Sequence, residues 1–248
     1  MSFPETVPRS TPAIALHAVA FASLCWSFHQ LFKPSPISDF MRSQYGGQWQ
    51  YLTILSLGIS WATFAFALLK DVFPSINFFA RLKTSLAILA VPVEGFVSVM
   101  YWGLMLIDPS LLVPPNPDFY LPIKLDISIH GLPAVFLWLD FLLFSPPFPK
   151  AARPLALSTT AVVAYVSWME YAASKNSGVF PYPFFNEMTQ TQRYIFYLFQ
   201  VPLVIGLFKT ANGLHHLIRG NDASREAKHV QVAEAKANKK INDLKKSK

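Results

Sequence analysis

A histidine and two aspartates lie inside one long apolar segment of this chain, the run LDISIHGLPAVFLWLDFLLF at residues 125–144. On a helix with about 100° per residue, Asp126, His130, Pro133 and Asp140 fall on one stripe. A run of about 20 apolar residues can cross the hydrocarbon core of a membrane, where an ionisable side chain is a candidate site by default. Since neutral imidazole is the usual general base near neutral pH, the segment predicts either proton-transfer chemistry or a histidine that only ties two helices together.

Pro133 predicts that this helix is broken close to His130. Proline donates no backbone hydrogen bond and its ring clashes with the carbonyl of Ile129, so that carbonyl needs another partner. Asp126 lies one helical turn before His130 and has two possible roles. It orients the imidazole from within the protein, or it lies in water as a helix cap or a surface charge.

A second apolar segment carries hydroxyl residues at helical spacing. Thr53, Ser56, Ser60 and Thr63 fall on one face, and Trp49 lies on the same face one turn earlier. Small hydroxyl residues in this pattern are typical of a close-packing seam, in which each hydroxyl bonds back to its own helix. Periodicity alone therefore does not single out Thr53 as a chemical group.

The composition of the chain indicates that these segments are helices of a membrane protein. The chain is 52% hydrophobic and only 14% charged, and its apolar runs are long rather than amphipathic. This predicts an all-α, polytopic integral membrane protein with a cytosolic N-terminal segment at 1–11, a six-helix transmembrane domain at 12–214 and a basic cytosolic tail at 215–248. The six predicted spans are 12–32, 50–69, 85–107, 125–144, 155–174 and 192–214.

The positive charge is concentrated in the tail, because residues 209–248 carry 10 Lys and Arg against 4 Asp and Glu. The basic residues of the short loops, with Lys83 counted in an inside loop, are nearly equal in number on the two sides of the membrane. Because basic residues favour the cytosolic side, the basic tail predicts that both termini are cytosolic. Thr53 and His130 then lie about 6–8 Å below the lumenal surface, at about 1.5 Å rise per residue. Asp126 and Glu170 lie near the same leaflet.

The tail itself predicts partners and location. Residues 222–246 read either as a helix on anionic lipid or as a solvated segment. Lys245-Lys246-Ser247-Lys248 resembles a dilysine retrieval signal, which implies a retrieval coat and the endoplasmic reticulum. Nucleic-acid binding is disfavoured because the tail lacks aromatic residues. The single cysteine, Cys25, excludes an intramolecular disulfide framework and cysteine-based metal clusters.

Four motifs resemble those of the androgen-induced gene one family, in the same order and at similar spacing. They are YGGQWQYLT at 45–53, YWGLMLID at 101–108, SIHG at 128–131 and GVFPYPFF at 178–185. The chain is identified as a fungal-type member, with the likeness covering about residues 13–215. It departs from the animal pattern because Leu132-Pro133-Ala134 stand where a second histidine is found.

The resemblance implies a six-span hydrolase of fatty acid esters of hydroxy fatty acids that needs no cofactor or metal. By motif position it implies Thr53 as the nucleophile and His130 as the second catalytic residue. A threonine hydroxyl needs a base to accept its proton, so this pair predicts an acyl-threonine intermediate. Membrane lipids and a lipid ester are the expected partners. The candidate orienting or supporting residues are Asp126, Trp49, Ser56, Glu170 and Tyr182.

Two other classes of function remain open from the sequence. A lipid or solute transporter would use Glu94, Asp140 and His130 as a relay, although no inverted repeat is evident. A bis-histidine haem protein would need His17 to face His215 or His216 on the cytosolic side.

Overall fold

A computed structural model describes residues 10–113, 120–148 and 153–246, with side chains as far as Gly220. Within these ranges the chain forms helices and short turns and no β-strand. The α-helices are α1 (Thr11–Leu31), α2 (Pro36–Ser43), α3 (Leu52–Val72), α4 (Asn77–Ile107), α5 (Ile123–His130), α6 (Leu132–Phe144), α7 (Pro154–Lys175), α8 (Pro183–Asn186) and α9 (Gln190–Lys246). Short 3₁₀ turns occupy Gly47–Gln50 and Pro109–Leu111.

The predicted all-α membrane architecture is confirmed. Among the described residues, five helical segments are long and apolar enough to cross a membrane. They correspond to the first four predicted spans and the sixth: Thr11–Leu31, Leu52–Val72, Asn77–Ile107, Ile123–Phe144 and Gln190–Gly220. The predicted fifth span, α7, has 22 residues. Its hydroxyl residues and Glu170 lower its mean hydropathy, so length and composition alone do not place it with the other five.

The core lies where α3 packs between α1 and α4, with α6 and α9 against α4. Leu57 and Phe64 of α3, Val91 of α4, and Leu137 and Phe141 of α6 are almost completely buried there. Helix α7 packs mainly on α9, where Met169 and Ala173 contact a second apolar cluster built from Phe180, Phe185 and Tyr197. The first cluster includes buried residues of α3, α4 and α5, which carry the YGGQWQYLT, YWGLMLID and SIHG motifs at or near their ends.

The third span begins earlier than the sequence predicted. Helix α4 begins at Asn77 rather than near residue 85, and Lys83 is only 3% exposed. Lys83 was expected in a cytosolic loop, and that prediction is wrong because its ammonium group bonds to Asp140 at 2.6 Å and to the Ser145 hydroxyl at 2.7 Å. A lysine paired with a carboxylate can lie inside a helix bundle. A prediction from hydropathy does not detect the pairing and therefore ends the membrane span at the lysine.

The fourth span is broken beside His130, as Pro133 predicted. Helix α5 ends at His130, α6 begins at Leu132, and Gly131 between them has φ −128° and ψ −57°. The Ser98 hydroxyl of α4 donates a hydrogen bond to the His130 carbonyl. Asp140 lies ten residues after His130, about 15 Å further along the helix at 1.5 Å per residue, so the residues of the predicted stripe do not form one site.

Asp140 instead belongs to a buried ion cluster at the opposite end of the bundle. His17 of α1 bonds through Nδ1 to Asp71 at 2.6 Å and through Nε2 to Asp140 at 2.8 Å. Lys83 bonds to the other oxygen of Asp140. The cluster ties α1, α3, α4 and α6 together, and each member is partnered, as buried charges require.

The tail is helical along its backbone. Helix α9 has 57 residues and continues through residue 214 to Lys246 without interruption. Residues 1–9 of the expected N-terminal segment at 1–11 lie outside the described residues, as do Ser247 and Lys248 of the retrieval motif and the side chains of Lys245 and Lys246.

Candidate active site

The start of α3 is set by the two glycines of the YGGQW motif. Gly46 and Gly47 have φ of +86° and +53°, the left-handed region that favours glycine. A Cβ on Gly46 would lie 3.2 Å from the Trp168 ring and 3.3 Å from Cβ of Gln50. The chain then makes a 3₁₀ turn, passes through Tyr51 in an extended conformation and enters α3 at Leu52. Thr53 therefore lies in the first turn of the helix.

This position separates Thr53 from the other hydroxyl residues on its face. Ser56 donates to the carbonyl of Thr53 at 3.1 Å, Ser60 to the carbonyl of Ser56 at 2.9 Å, and Thr63 to that of Ile59 at 2.8 Å. These three confirm the predicted packing seam. Thr53 has no helical carbonyl one turn before it, because Trp49 precedes α3. Its half-buried side chain instead lines two adjoining cavities.

His130 is held in one orientation by its neighbours. Its Nδ1 bonds to the Asp126 carboxylate at 2.7 Å, and both residues are buried. The Tyr101 ring stacks on the imidazole with centroids 3.4 Å apart and planes 7° apart. With Nδ1 donating to the carboxylate, Nε2 is the nitrogen that accepts a proton. Since Asp126 is buried, the alternative that it lies in water is wrong.

Thr53 and His130 face one cavity of about 120 Å³, here called the polar cavity. Asp126, Tyr101 and Tyr182 also line it. In the part of the chain that the structure describes, Thr53 and His130 share no direct hydrogen bond. They face the cavity from α3 and α5, so both side chains border the same space.

Tyr182, from the GVFPYPFF motif, lies over the N-terminus of α3. Its hydroxyl oxygen accepts a hydrogen bond from the Leu52 amide at 3.0 Å, and its ring packs edge-on against Tyr51 with centroids 5.6 Å apart. Burial raises the pKa of the Tyr182 phenol. The hydroxyl therefore stays protonated at neutral pH and remains a hydrogen-bond donor beside Thr53.

A second cavity of about 70 Å³ adjoins the first and is here called the apolar cavity. It shares Thr53, Tyr101, Leu112 and Tyr182 with the polar cavity. The rest of its wall is mostly apolar, from residues that include Phe96, Val97, Met100, Leu104 and Phe184. Thr53 thus stands where the two cavities meet.

Two predicted supporting residues lie away from both cavities. The Trp49 ring is 46% exposed and packs near Phe28, Phe32 and Gly58. Trp49 was placed on the Thr53 face by extending the helical repeat backwards, and that placement is wrong because the 3₁₀ turn changes the phase. Ser56 lies one turn deeper, and its hydroxyl bonds to the Thr53 carbonyl.

Glu170 does not join the site either. Its carboxylate accepts from Arg193 at 3.2 Å and from the Tyr197 hydroxyl at 2.9 Å, which ties α7 to α9. The prediction placed Glu170 at the correct end of the bundle, but depth alone does not determine which helix a side chain faces.

Sequence reasoning missed the role of Tyr101. Tyr101 belongs to the YWGLMLID motif, and the family resemblance of that motif was the available signal. The distance of 29 positions between Tyr101 and His130 does not predict a contact. Gln200 of α9, a buried amide in the apolar cavity wall, was also missed. A single glutamine in an apolar span was the available signal.

The transporter relay is not joined in the structure. Glu94 is 1% exposed and accepts a hydrogen bond from Ser60 at 2.8 Å, while Asp140 binds Lys83 and His17, and His130 binds Asp126. Among the described residues these three networks share no hydrogen bond.

The haem alternative conflicts with the contacts of His17. Both of its ring nitrogens bond to carboxylates, so neither is available to an axial ligand position. Nε2 of His215 bonds to the Ser145 carbonyl at 3.0 Å. Among the side chains that the structure describes, which end at Gly220, no group of three His, Cys, Asp or Glu is arranged to hold a metal ion.

Comparisons with known proteins cover most of the chain. Residues 12–216 match the family model described as FAR-17a/AIG1-like protein. The chain is 34% identical to a UPF0641 membrane protein of Schizosaccharomyces pombe over 183 residues, which are 73% of this chain and 80% of that protein.

Animal relatives are more distant. The androgen-dependent TFPI-regulating protein of Mesocricetus auratus is 26% identical over 178 residues, 69% of this chain and 77% of that protein. The androgen-induced gene 1 protein of Homo sapiens is 22% identical over 222 residues, 84% of this chain and 90% of that protein. No solved structure matches.

Proposed function

Because this chain belongs to the FAR-17a/AIG1-like protein family, we propose that it is an intramembrane hydrolase of lipid esters, with Thr53 as nucleophile and His130 as general base. The observation that carries the proposal is the polar cavity, where Thr53 and His130 meet from different helices while Nδ1 of His130 bonds to Asp126. A nucleophile, a base and a group that orients the base are the parts that acyl transfer requires.

The reaction proceeds in two steps. Nε2 of His130 accepts the Thr53 hydroxyl proton while Oγ1 bonds to the ester carbonyl carbon. The carbonyl re-forms as the bond to the alcohol oxygen breaks, and His130 returns the proton to the departing alkoxide. Water then attacks the acyl-threonine with His130 again accepting a proton, which releases the fatty acid and restores the Thr53 hydroxyl.

Three neighbours support these steps. Asp126 keeps the proton on Nδ1 and stabilises the imidazolium that forms. Tyr101 restrains the imidazole by stacking on it. The protonated Tyr182 hydroxyl is the donor we assign to the oxyanion, because it lines the same cavity as Thr53. Trp49, Ser56 and Glu170 have no part in this scheme.

The substrate class follows from the family resemblance and from the walls of the cavities. We assign fatty acid esters of hydroxy fatty acids, whose chains match apolar walls on either side of Thr53. Ser35 and Ser38 line the far part of the polar cavity, and Arg42 bonds to Ser38 at 3.0 Å. Arg42 is also paired with Asp39 at 2.6 Å, so we assign it no role toward a free carboxylate. Arg193 is bonded to Glu170 in the same way.

The proposal includes a topology. Six spans, with α7 as the fifth, place both termini in the cytosol and the site in the lumenal leaflet. The basic tail supports this orientation, although Lys83 no longer counts among the inside loop charges. Residence in the endoplasmic reticulum, with a retrieval coat binding Lys245 and Lys246, follows from the same orientation.

The proposal is tested with Thr53→Ala, His130→Ala and the double variant. Residues that act as one unit lose activity non-additively, so all three should fall to a similar rate, roughly 10³-fold or more below the parent. The measurement is fatty acid release by purified protein from a branched fatty acid ester, with fluorophosphonate labelling as a second readout.

Thr63→Ala is the matched control, because it removes a threonine hydroxyl from the same face of α3 where that hydroxyl only bonds to Ile59. It should keep most of the activity. A folded Thr53→Ala variant that hydrolyses and labels like the parent would show that the nucleophile is another residue.

A further inference from the structure

The two cavities differ in which catalytic groups they contain. His130 and Asp126 line the polar cavity, whereas the described lining of the apolar cavity includes Thr53 but neither member of that pair. When an ester carbonyl lies at Thr53, the two parts of the substrate therefore extend into different cavities. The polar cavity contains the proton donor, His130, and the apolar cavity does not.

The order of the chemical steps distinguishes the two. The departing alkoxide needs a proton from Nε2 of His130, so the alcohol part must lie in the polar cavity when the bond to its oxygen breaks. The acyl part stays bonded to Oγ1 of Thr53 after the alcohol has left. Water must then approach the carbonyl from the His130 side, so the acyl chain must leave the polar cavity open.

The apolar cavity leads to a third cavity of about 30 Å³, here called the inner cavity. The two share Leu52, Phe96, Tyr165 and Gln200 in their linings. Beyond these residues the inner cavity is lined by Val93 of α4, by Ala161 and Val162 of α7, and by Val204 of α9. The cavities thus form a row that extends from Thr53 between three helices.

We propose that the acyl chain of the ester occupies this row, with the leaving alcohol in the polar cavity, and that Phe96 and Gln200 set the accepted acyl length. This inference rests on the proposed hydrolase function and assigns the two halves of its substrate.

Phe96 and Gln200 stand at the boundary where an alkyl chain would pass from one cavity to the next. Both are buried, at 6% and 8% exposure, and they come from different helices, α4 and α9. The Gln200 amide presents a polar group to the chain, whereas Val93 and Val204 beyond it present apolar ones. A chain that enters from the membrane is already in an apolar environment, so a methylene gains little free energy by reaching the inner cavity, and the length limit is set by whether the boundary lets the chain through.

The test blocks the inner cavity without touching the catalytic groups. Ala161→Phe places a ring in the inner cavity, and Ala164→Phe is the matched control because Ala164 is exposed on the same helix. The full-length protein in nanodiscs is given esters with one fixed alcohol and acyl chains of increasing length. Ala161→Phe should lower kcat/KM for the longest accepted chains by roughly 10-fold or more and leave short chains unaffected.

Gln200→Met gives the opposite change, because it replaces the amide by an apolar side chain of similar length. It should raise kcat/KM for chains one or two carbons beyond the parent's limit. Changing the alcohol length at fixed acyl length should affect the parent and all three variants equally.

The outcomes separate this inference from the proposed function. If the parent shows no hydrolysis that depends on Thr53, the hydrolase proposal fails. If such hydrolysis is present and Ala161→Phe keeps the parent's acyl-length profile, or changes alcohol preference instead, the acyl assignment is wrong while the hydrolase stands.

A labelling experiment tests the acyl assignment even when a variant has lost all activity. A fatty acid with a diazirine at its terminal carbon should label the inner-cavity residues of α7 or α9 in the parent and in Ala164→Phe, but not in Ala161→Phe. Equal labelling of these residues in all three proteins would overturn the acyl assignment.

Discussion

At the scale of single residues, the site depends on how His130 is restrained. Asp126 bonds to its ring from the same helix, Tyr101 stacks on it from α4, and Ser98 bonds to its backbone carbonyl. Asp126 and Tyr101 hold the ring itself, and one ring nitrogen is left to exchange protons. The carboxylate is the only one of these partners that also compensates the positive charge formed during proton transfer.

Asp126→Asn tests this arrangement because it keeps the shape and removes the charge. The amide can donate to Nδ1, which moves the ring proton to Nε2 and prevents that atom from accepting one. We expect kcat to fall by roughly 10²–10⁴-fold with little change in KM. Steady-state kinetics on the purified variant measures both constants.

Asp108→Asn is the matched control, since Asp108 is exposed and caps the turn at Ser110. It should behave like the parent. Unchanged kcat in Asp126→Asn would show that the carboxylate has no role in orienting His130.

At the scale of elements, the short turn before α3 decides which hydroxyl faces the cavities. The 3₁₀ turn and the extended Tyr51 place Thr53 in the first helical turn, while the hydroxyls that follow it are bonded within α3. The GVFPYPFF loop then brings Tyr182 to the N-terminus of the same helix. Two motifs far apart in the chain thus build one end of the site.

Gly46→Ala tests the turn. The new Cβ would meet Trp168 and Gln50 at 3.2 and 3.3 Å, in a backbone conformation with φ of +86°. The strain costs about 1–3 kcal/mol, and any relief shifts the start of α3 and with it Thr53. Both the thermal stability and the hydrolytic rate should fall, as measured by a melting curve and by fatty acid release.

Gly103→Ala is the comparison, because Gly103 lies in α4 with no heavy atom within 4 Å of the added Cβ. Alanine there should be neutral or stabilising by up to about 1 kcal/mol. If Gly46→Ala were as stable and active as Gly103→Ala, the turn would not control the position of Thr53.

At the scale of the whole molecule, polar groups lie at both ends of an apolar bundle. The His130 site is at the proposed lumenal end, and the ion cluster of His17, Asp71, Asp140 and Lys83 is at the other. The cluster cross-links four helices, which stabilises their packing in a membrane where apolar contacts give little preference between helices. The long α9 helix then continues from the bundle into the basic tail.

The proposed orientation predicts where the protein resides. Replacing Lys245 and Lys246 by Ser should move the full-length protein from the endoplasmic reticulum to later secretory membranes, as seen by fluorescence microscopy. Lys239→Ser with Lys240→Ser removes the same charge from the same helix and should leave the location unchanged. If both double variants remain in the reticulum, the terminal lysines are not a retrieval signal.

The sequence by itself determined the class of fold and the local contact at the site. Long apolar runs identify membrane helices because the bilayer requires about 20 apolar residues per span. Asp126 and His130 are four residues apart, so helical geometry alone brings them together. Thr53 was singled out by a motif rather than by spacing, since its hydroxyl is one of four on the same face.

The tertiary structure decided which side chains from different helices meet. Lys83 and Asp140, 57 positions apart, form an ion pair, although the sequence placed Lys83 in a loop and Asp140 on a helix face with His130. Tyr101 stacks on His130, and no local pattern links the two residues. Trp49 and Glu170 lie near the proposed lumenal leaflet but face elsewhere. Periodicity determines the direction of a side chain within one helix, whereas the rotation of each helix and its neighbours depend on packing across the bundle.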